Sequence, residues 1–129
     1  MNSTGEVWVA VVDDCVDHCD VVSMMLEDSG YLPITYSGNK AEFLKLVPVL
    51  MPAAIITDIH SPGMDGLEFL QALKADPDLD HIPVIIASAY TDLERWCRAM
   101  RLGAAEYLEK PFDFEELSEV LERIFEREK

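Results

Sequence analysis

Ala54 to Phe69 reads AIITDIHSPGMDGLEF. An apolar run ends abruptly at Asp58, a turn-rich segment follows from Ser61 to Gly66, and an amphipathic pattern begins at Leu67. A buried strand, a loop and a helix read this way. The strand would deliver one carboxylate, Asp58, to the C-terminal edge of a sheet, outside which ligands bind in open α/β sheets. The remainder of the chain is weighed by what it brings to Asp58.

Upstream, Val7-Trp-Val-Ala-Val-Val12 is a strand-length run of β-formers that ends in Asp13-Asp14. From Cys15 to Ser29, Val21, Val22, Met25 and Leu26 recur at helical spacing, with Gly30 where a helix C-terminus favours it. Leu32 to Tyr36 predicts a second strand. Lys40 to Leu50 predicts a second helix, ending near Pro48 because proline is costly inside a helix. Downstream of Asp58, Asp65 and Gly66 are expected to open a third helix marked by Leu67, Phe69, Leu70 and Leu73 and stopped by Asp76-Pro77. Val84-Ile-Ile-Ala87 is a fourth buried strand ending at Ser88. Asp92 to Leu102 is a fourth helix closed by Gly103, and Glu106-Tyr-Leu108 a fifth strand ended by Lys110-Pro111. Asp113 and Glu116 have capping-box spacing, with Phe112 and Leu117 placed as a hydrophobic staple. The expected buried stripe of the last helix is Phe114, Leu117, Val120, Leu121, Ile124 and Phe125.

Strand and helix alternate five times, and the strands are apolar enough to be buried on both faces. That pattern predicts a parallel sheet covered by helices, in one domain of 129 residues with its core at about 7–125. Half the residues are apolar, as in a globular protein. No run is long enough to span a bilayer and no leader pattern opens the chain, so a cytoplasmic location is expected. The formal charge of −15 argues against direct nucleic-acid binding; it reads either as a solubilising surface or as carboxylates clustered to hold a cation. Three cysteines without a secretory signal are expected to be reduced. Cys15 and Cys19 lie one helical turn apart without a pattern that makes them a zinc or redox pair, and Cys97 reads as a core thiol on the apolar side of helix four. His18 and His81 read as surface residues.

In a parallel sheet the residues at the strand ends share one edge: Asp13 and Asp14, Asp58, Ser88, and Lys110 after strand five. Clustered carboxylates raise one another's pKa, and a hard divalent cation removes the conflict. Mg²⁺ fits, since it takes oxygen ligands and typically one or two carboxylates together with phosphate oxygens. The Asp58 carboxylate can act as a nucleophile toward phosphorus. A lysine and a metal can stabilise charge on a transferring phosphoryl group, and the Ser88 hydroxyl can donate to an anionic oxygen.

These residues carry a family resemblance. The acidic pair in VVDDC, the segment TDIHSPGMDG, the hydroxyl in IIASAY and the segment EYLEKPF, in this order and spacing, resemble the receiver (response-regulator) domain of two-component signalling over about Val7 to Phe125. The resemblance implies a flavodoxin-like, doubly wound five-stranded sheet in the order 2-1-3-4-5 with helices on both faces. It implies phosphorylation of Asp58 by the phosphohistidine of a histidine kinase or histidine phosphotransfer protein. Mg²⁺ would be held by Asp13, Asp14, Asp58 and the backbone carbonyl of His60. Ser88 and Lys110 would contact the phosphoryl group, Tyr107 would be the aromatic switch that follows Ser88, and the Lys110–Pro111 bond would be cis. Ser61 departs from the family's usual methionine. His60 and Tyr90 occupy positions that tune the acyl-phosphate lifetime, and two rings there are expected to slow self-hydrolysis.

Arg95, Arg98 and Arg101 recur every three residues beside Tyr107. They read as a solvated face or as a docking stripe for a downstream protein on the face of helix four, strand five and helix five. On this reading the chain is a signalling domain that assists its own phosphorylation and dephosphorylation, rather than an enzyme. One alternative is a Mg²⁺-dependent phosphatase or phosphotransferase with an aspartate nucleophile. That class carries a second acid/base carboxylate two residues after the nucleophile, where this chain has His60. A receiver-like interaction module that is never phosphorylated is a second alternative. Such a module would be expected to have lost Asp14, Asp58 or Lys110, all of which are present.

Overall fold

The apolar runs become strands and the periodic segments become helices. In the computed structural model, which describes residues 6–60, 63–89 and 92–127, the order is β1 (Trp8–Val12), α1 (Val16–Asp28), β2 (Leu32–Tyr36), α2 (Lys40–Leu50) and β3 (Ala54–Asp58). It continues with α3 (Gly66–Ala75), β4 (Val84–Ser88), α4 (Leu93–Arg101), β5 (Glu106–Glu109) and α5 (Phe114–Arg127). The strands form one parallel sheet in the order β2-β1-β3-β4-β5, as the resemblance implied.

Alternation along the strands divides the core in two. Ala10, Val12, Ile55 and Ile86 pack with Phe43 and Val47 of α2, Phe69 and Leu70 of α3, and Ala99 of α4. Val9, Val11, Ile56 and Ile85 pack with Val22 and Leu26 of α1 and with Leu117 and Leu121 of α5. The central strands β3 and β4 are buried throughout, whereas the edge strand β2 is mostly half-buried and tolerates Pro33.

Local signals fix the helix ends. Asp65 caps α3 in a full capping box with Glu68. The Glu116 N–H donates to Asp113 Oδ1 at 2.8 Å at the start of α5. At the end of α1, Gly30 adopts φ +89°. Its N–H donates to Glu27 O and that of Tyr31 to Leu26 O, a Schellman closure.

Three expectations need correction. Helix α2 does not end at Pro48 but runs through it to Leu50. Pro48 removes its own N–H to carbonyl bond but leaves only Val49 and Leu50 beyond it, and Met51 closes the helix with a left-handed φ of 43° and an N–H to Val47 O bond of 2.7 Å. Phe114 is not in the buried stripe but 40% exposed, because it is the first residue of α5, and Phe112 takes the inward position ahead of it. Cys97 is half-buried rather than a core thiol, and the buried cysteine is Cys19.

Candidate functional site at the strand ends

The crossovers from β1 and β3 leave in opposite directions. The crevice between the C-terminal ends of these two strands is the switch point at which such sheets bind ligands. Asp13 and Asp14 follow β1 there and Asp58 ends β3. One carboxylate oxygen from each lies within 4.8 Å of the others. Asp13 and Asp58 are buried and Asp14 is exposed. Ser88, buried at the end of β4, accepts the Lys110 N–H at its carbonyl (2.8 Å), which ties β4 to the turn after β5. The Lys110–Pro111 bond is cis.

Lys110 Nζ donates to Asp13 Oδ2 at 2.9 Å rather than to Asp58. His18 Nδ1 meets the same Asp13 oxygen at 2.6 Å, and the His18 ring packs edge-on against Phe112, 5.7 Å between centroids. His18 is therefore part of the site, not the surface residue expected. It stands in the first turn of α1, on the side facing the strand end. Cys19 Sγ donates to the Asp13 carbonyl, and the Cys15 N–H to Asp13 Oδ1. Burial pushes the Asp13 carboxyl up, but His18, the Cys15 N–H and Lys110 together outweigh it and hold the group well below the usual carboxylate range.

The second residue that sequence reasoning missed is Lys40. This first residue of α2 is fully buried and its ammonium contacts Asp58 Oδ1. The available signal was a lysine directly after a helix cap, at the end of the helix dipole that disfavours cations. Desolvation nonetheless dominates at Asp58 and pushes its pKa up to about 6, against the lowering influence of Lys40.

Gly66 was expected to supply the turn. Its φ is not in the left-handed region; what demands glycine is proximity. A Cβ there would stand 1.9 Å from the Asp58 carbonyl oxygen, and the Gly66 N–H donates to Ile59 O at 2.7 Å. The start of α3 is thus packed tightly against the end of β3. His60, in this loop, is exposed, and Tyr107 on β5 is half-buried. Ser61 and Tyr90 lie outside the described residues. Arg95 pairs with the α4 cap Asp92 at 3.1 Å, while Arg98 and Arg101 are exposed.

The donor set fits a hard divalent cation. It consists of carboxylate oxygens alone, and Asp58 Oδ1 is buried without a well-directed hydrogen bond among the described residues.

A parallel 2-1-3-4-5 sheet with clustered acids at its switch point defines a doubly wound α/β protein with a ligand crevice at the strand ends. Residues 9–122 match the family described as the response regulator receiver domain, and the chain belongs to that family. It is 32% identical to the probable chemotaxis protein CheY of Rhizobium etli, over 97% of each chain. It is 36% identical to the transcriptional regulatory protein ZraR of Salmonella typhimurium and 30% identical to FixJ of Bradyrhizobium diazoefficiens. It spans 26% of the former and 57% of the latter. Among solved structures, the Vibrio cholerae chemotaxis protein CheY4 superposes with a TM-score of 0.85 at 29% identity, covering 93% of this chain and 99% of that one. The receiver domain of the Francisella response regulator 1452 gives 0.86 at 27% identity, over 96% and 100%. Among the described residues no helix is long and apolar enough to cross a membrane.

Proposed function

We propose that the chain is one cytoplasmic receiver domain, with its core at residues 7–125. It accepts a phosphoryl group on Asp58 from the phosphohistidine of a histidine kinase or histidine phosphotransfer protein. The observation that carries this reading is the buried Asp58 carboxylate at the end of β3, grouped with Asp13 and Asp14 and backed by lysine. A carboxylate oxygen of Asp58 forms a bond to phosphorus while the phosphorus–nitrogen bond to the imidazole breaks. The bonding pair goes to the ring nitrogen, and the product is an acyl phosphate.

Ser88 donates its hydroxyl to a phosphoryl oxygen, and Lys110 turns from Asp13 to the same group. Asp13, Asp14, Asp58 and the His60 carbonyl would hold Mg²⁺. The ion would supply charge neutralisation between the carboxylates and the phosphoryl oxygens. His18 keeps Asp13 ionised. The opening beside Lys110 is a mainly apolar cavity of about 340 Å³, bordered by Val22, Met25, Pro111 and Phe112, which gives a donor protein apolar surface next to the acceptor.

The modified residue then shifts a two-state equilibrium through contacts only one state offers, with Ser88 and Tyr107 as the moving pair. A downstream protein reads the state on the face of α4, β5 and α5, where Arg98, Arg101 and half-exposed Trp96 stand. The domain assists its own phosphorylation and dephosphorylation and makes no direct nucleic-acid contact.

The test is incubation with acetyl phosphate or beryllofluoride plus Mg²⁺, followed by mass spectrometry and amide NMR. A single adduct is expected on Asp58, abolished by Asp58→Asn and by chelation. A protein that stays unmodified and spectrally unchanged under all these conditions refutes the assignment.

A further inference from the structure

Lys40 is the first residue of α2, directly after the Asn39 cap, whose side chain accepts the Ala41 N–H. A cation there faces the positive end of the helix dipole, where a carboxylate is favoured. Helix physics therefore does not explain the lysine. Solvation does not explain it either, because the side chain has no exposed surface. A buried ammonium persists only against an opposite charge, and Lys40 meets one in Asp58 Oδ1. Gly63 lies close against this corner: a Cβ on it would stand 3.0 Å from the Asn39 side chain. Three carboxylates are thus set against two ammonium groups, one on Asp13 and one on the acceptor itself.

We propose that Lys40 is a tethered counter-ion of the acceptor carboxylate that competes with the divalent cation for Asp58. Oδ1 is the oxygen engaged by Lys40, and it belongs to one of the three carboxylates that an entering ion would share. Mutual repulsion of the two cations in a buried site opposes their sharing one carboxylate. The metal-free protein therefore keeps its acceptor neutralised by its own side chain, and metal entry requires the ammonium to withdraw. This rests on the reading of Asp13, Asp14 and Asp58 as the metal's carboxylates.

The test is a Mn²⁺ titration by electron paramagnetic resonance and a Mg²⁺ titration by calorimetry, on the full chain, of the parent, Lys40→Met and Lys40→Arg. The expected result is tighter binding by about tenfold or more in Lys40→Met, with Lys40→Arg within about twofold of the parent. Affinity that is equal or weaker in Lys40→Met overturns the competition while leaving the metal site intact. Absence of binding in all three overturns the metal site and the competition together. Should Lys40→Met fail to fold, the Lys40 Cε and Nζ resonances of the parent protein decide the matter. They are expected to move on saturation with Mg²⁺, and unmoved signals overturn the proposal.

Discussion

Cys15 and Cys19 stand one turn apart at the start of α1, yet their surroundings differ. Cys15 is exposed; Cys19 is buried, with its Sγ on the Asp13 carbonyl. Burial, and then the negative charge of Asp13, push the Cys19 thiol up to about 11. The folded protein thus keeps a proton that the unfolded thiol releases near its ordinary value. The stability this contributes is fully present below the unfolded pKa and is lost as pH rises through about 11. Since the thiolate is the reactive form, iodoacetamide at pH 8 is expected to modify Cys15 and spare Cys19. Cys19 labelling should rise only as pH approaches about 11. Peptide mass mapping reads the outcome, and equal labelling of both at pH 8 would show that the Asp13 neighbourhood is open to solvent.

At the scale of the element, α2 carries a defect that the fold tolerates. Pro48 lies within the last turn, removes one N–H to carbonyl bond and is exposed. A proline inside a helix costs about 3 kcal/mol, and replacing it frees the unfolded chain by about 0.4–1 kcal/mol. Pro48→Ala should therefore stabilise the protein by about 2 kcal/mol, read as a higher urea midpoint with unchanged slope. A lower midpoint would show that the ring supports the Met51 closure. Elements of this kind were legible in the sequence because periodicity and caps are local: the strands, Gly30 and the Asp65 box need no knowledge of the rest of the chain. Pro48 and Phe114 were misread because the cost of a proline and the facing of a residue depend on how far they lie from the helix end. Lys40 and His18 were missed for a different reason. Their partners, Asp58 and Asp13, come from other elements, and only the packed sheet brings them within reach. Gly66 was noticed for its turn, but its constraint is the Asp58 carbonyl across the loop.

For the whole molecule the dominant quantity is the formal charge of −15, of which the three clustered carboxylates account for only a part. Such a charge opposes the compact state by self-repulsion, and added salt of any kind relieves it by screening. A rise in melting temperature with Mg²⁺ is therefore no proof of a site unless the general effect is held constant. A bound ion acts differently, by mass action on the folded state alone, contributing about 2.7 kcal/mol when free ligand is a hundredfold above Kd. For a chain of this size that corresponds to roughly 10 °C. Asp14 separates the two effects, because it is the exposed member of the carboxylate group and its replacement leaves the core untouched. With NaCl, the parent and Asp14→Asn should gain stability in parallel. With MgCl₂ at fixed ionic strength, the parent's melting temperature should climb with the logarithm of concentration once the site saturates, and that of Asp14→Asn should stay nearly flat. Equal gains in both proteins under MgCl₂ would mean that the ion acts on the charge of the whole surface and not on the crevice between β1 and β3.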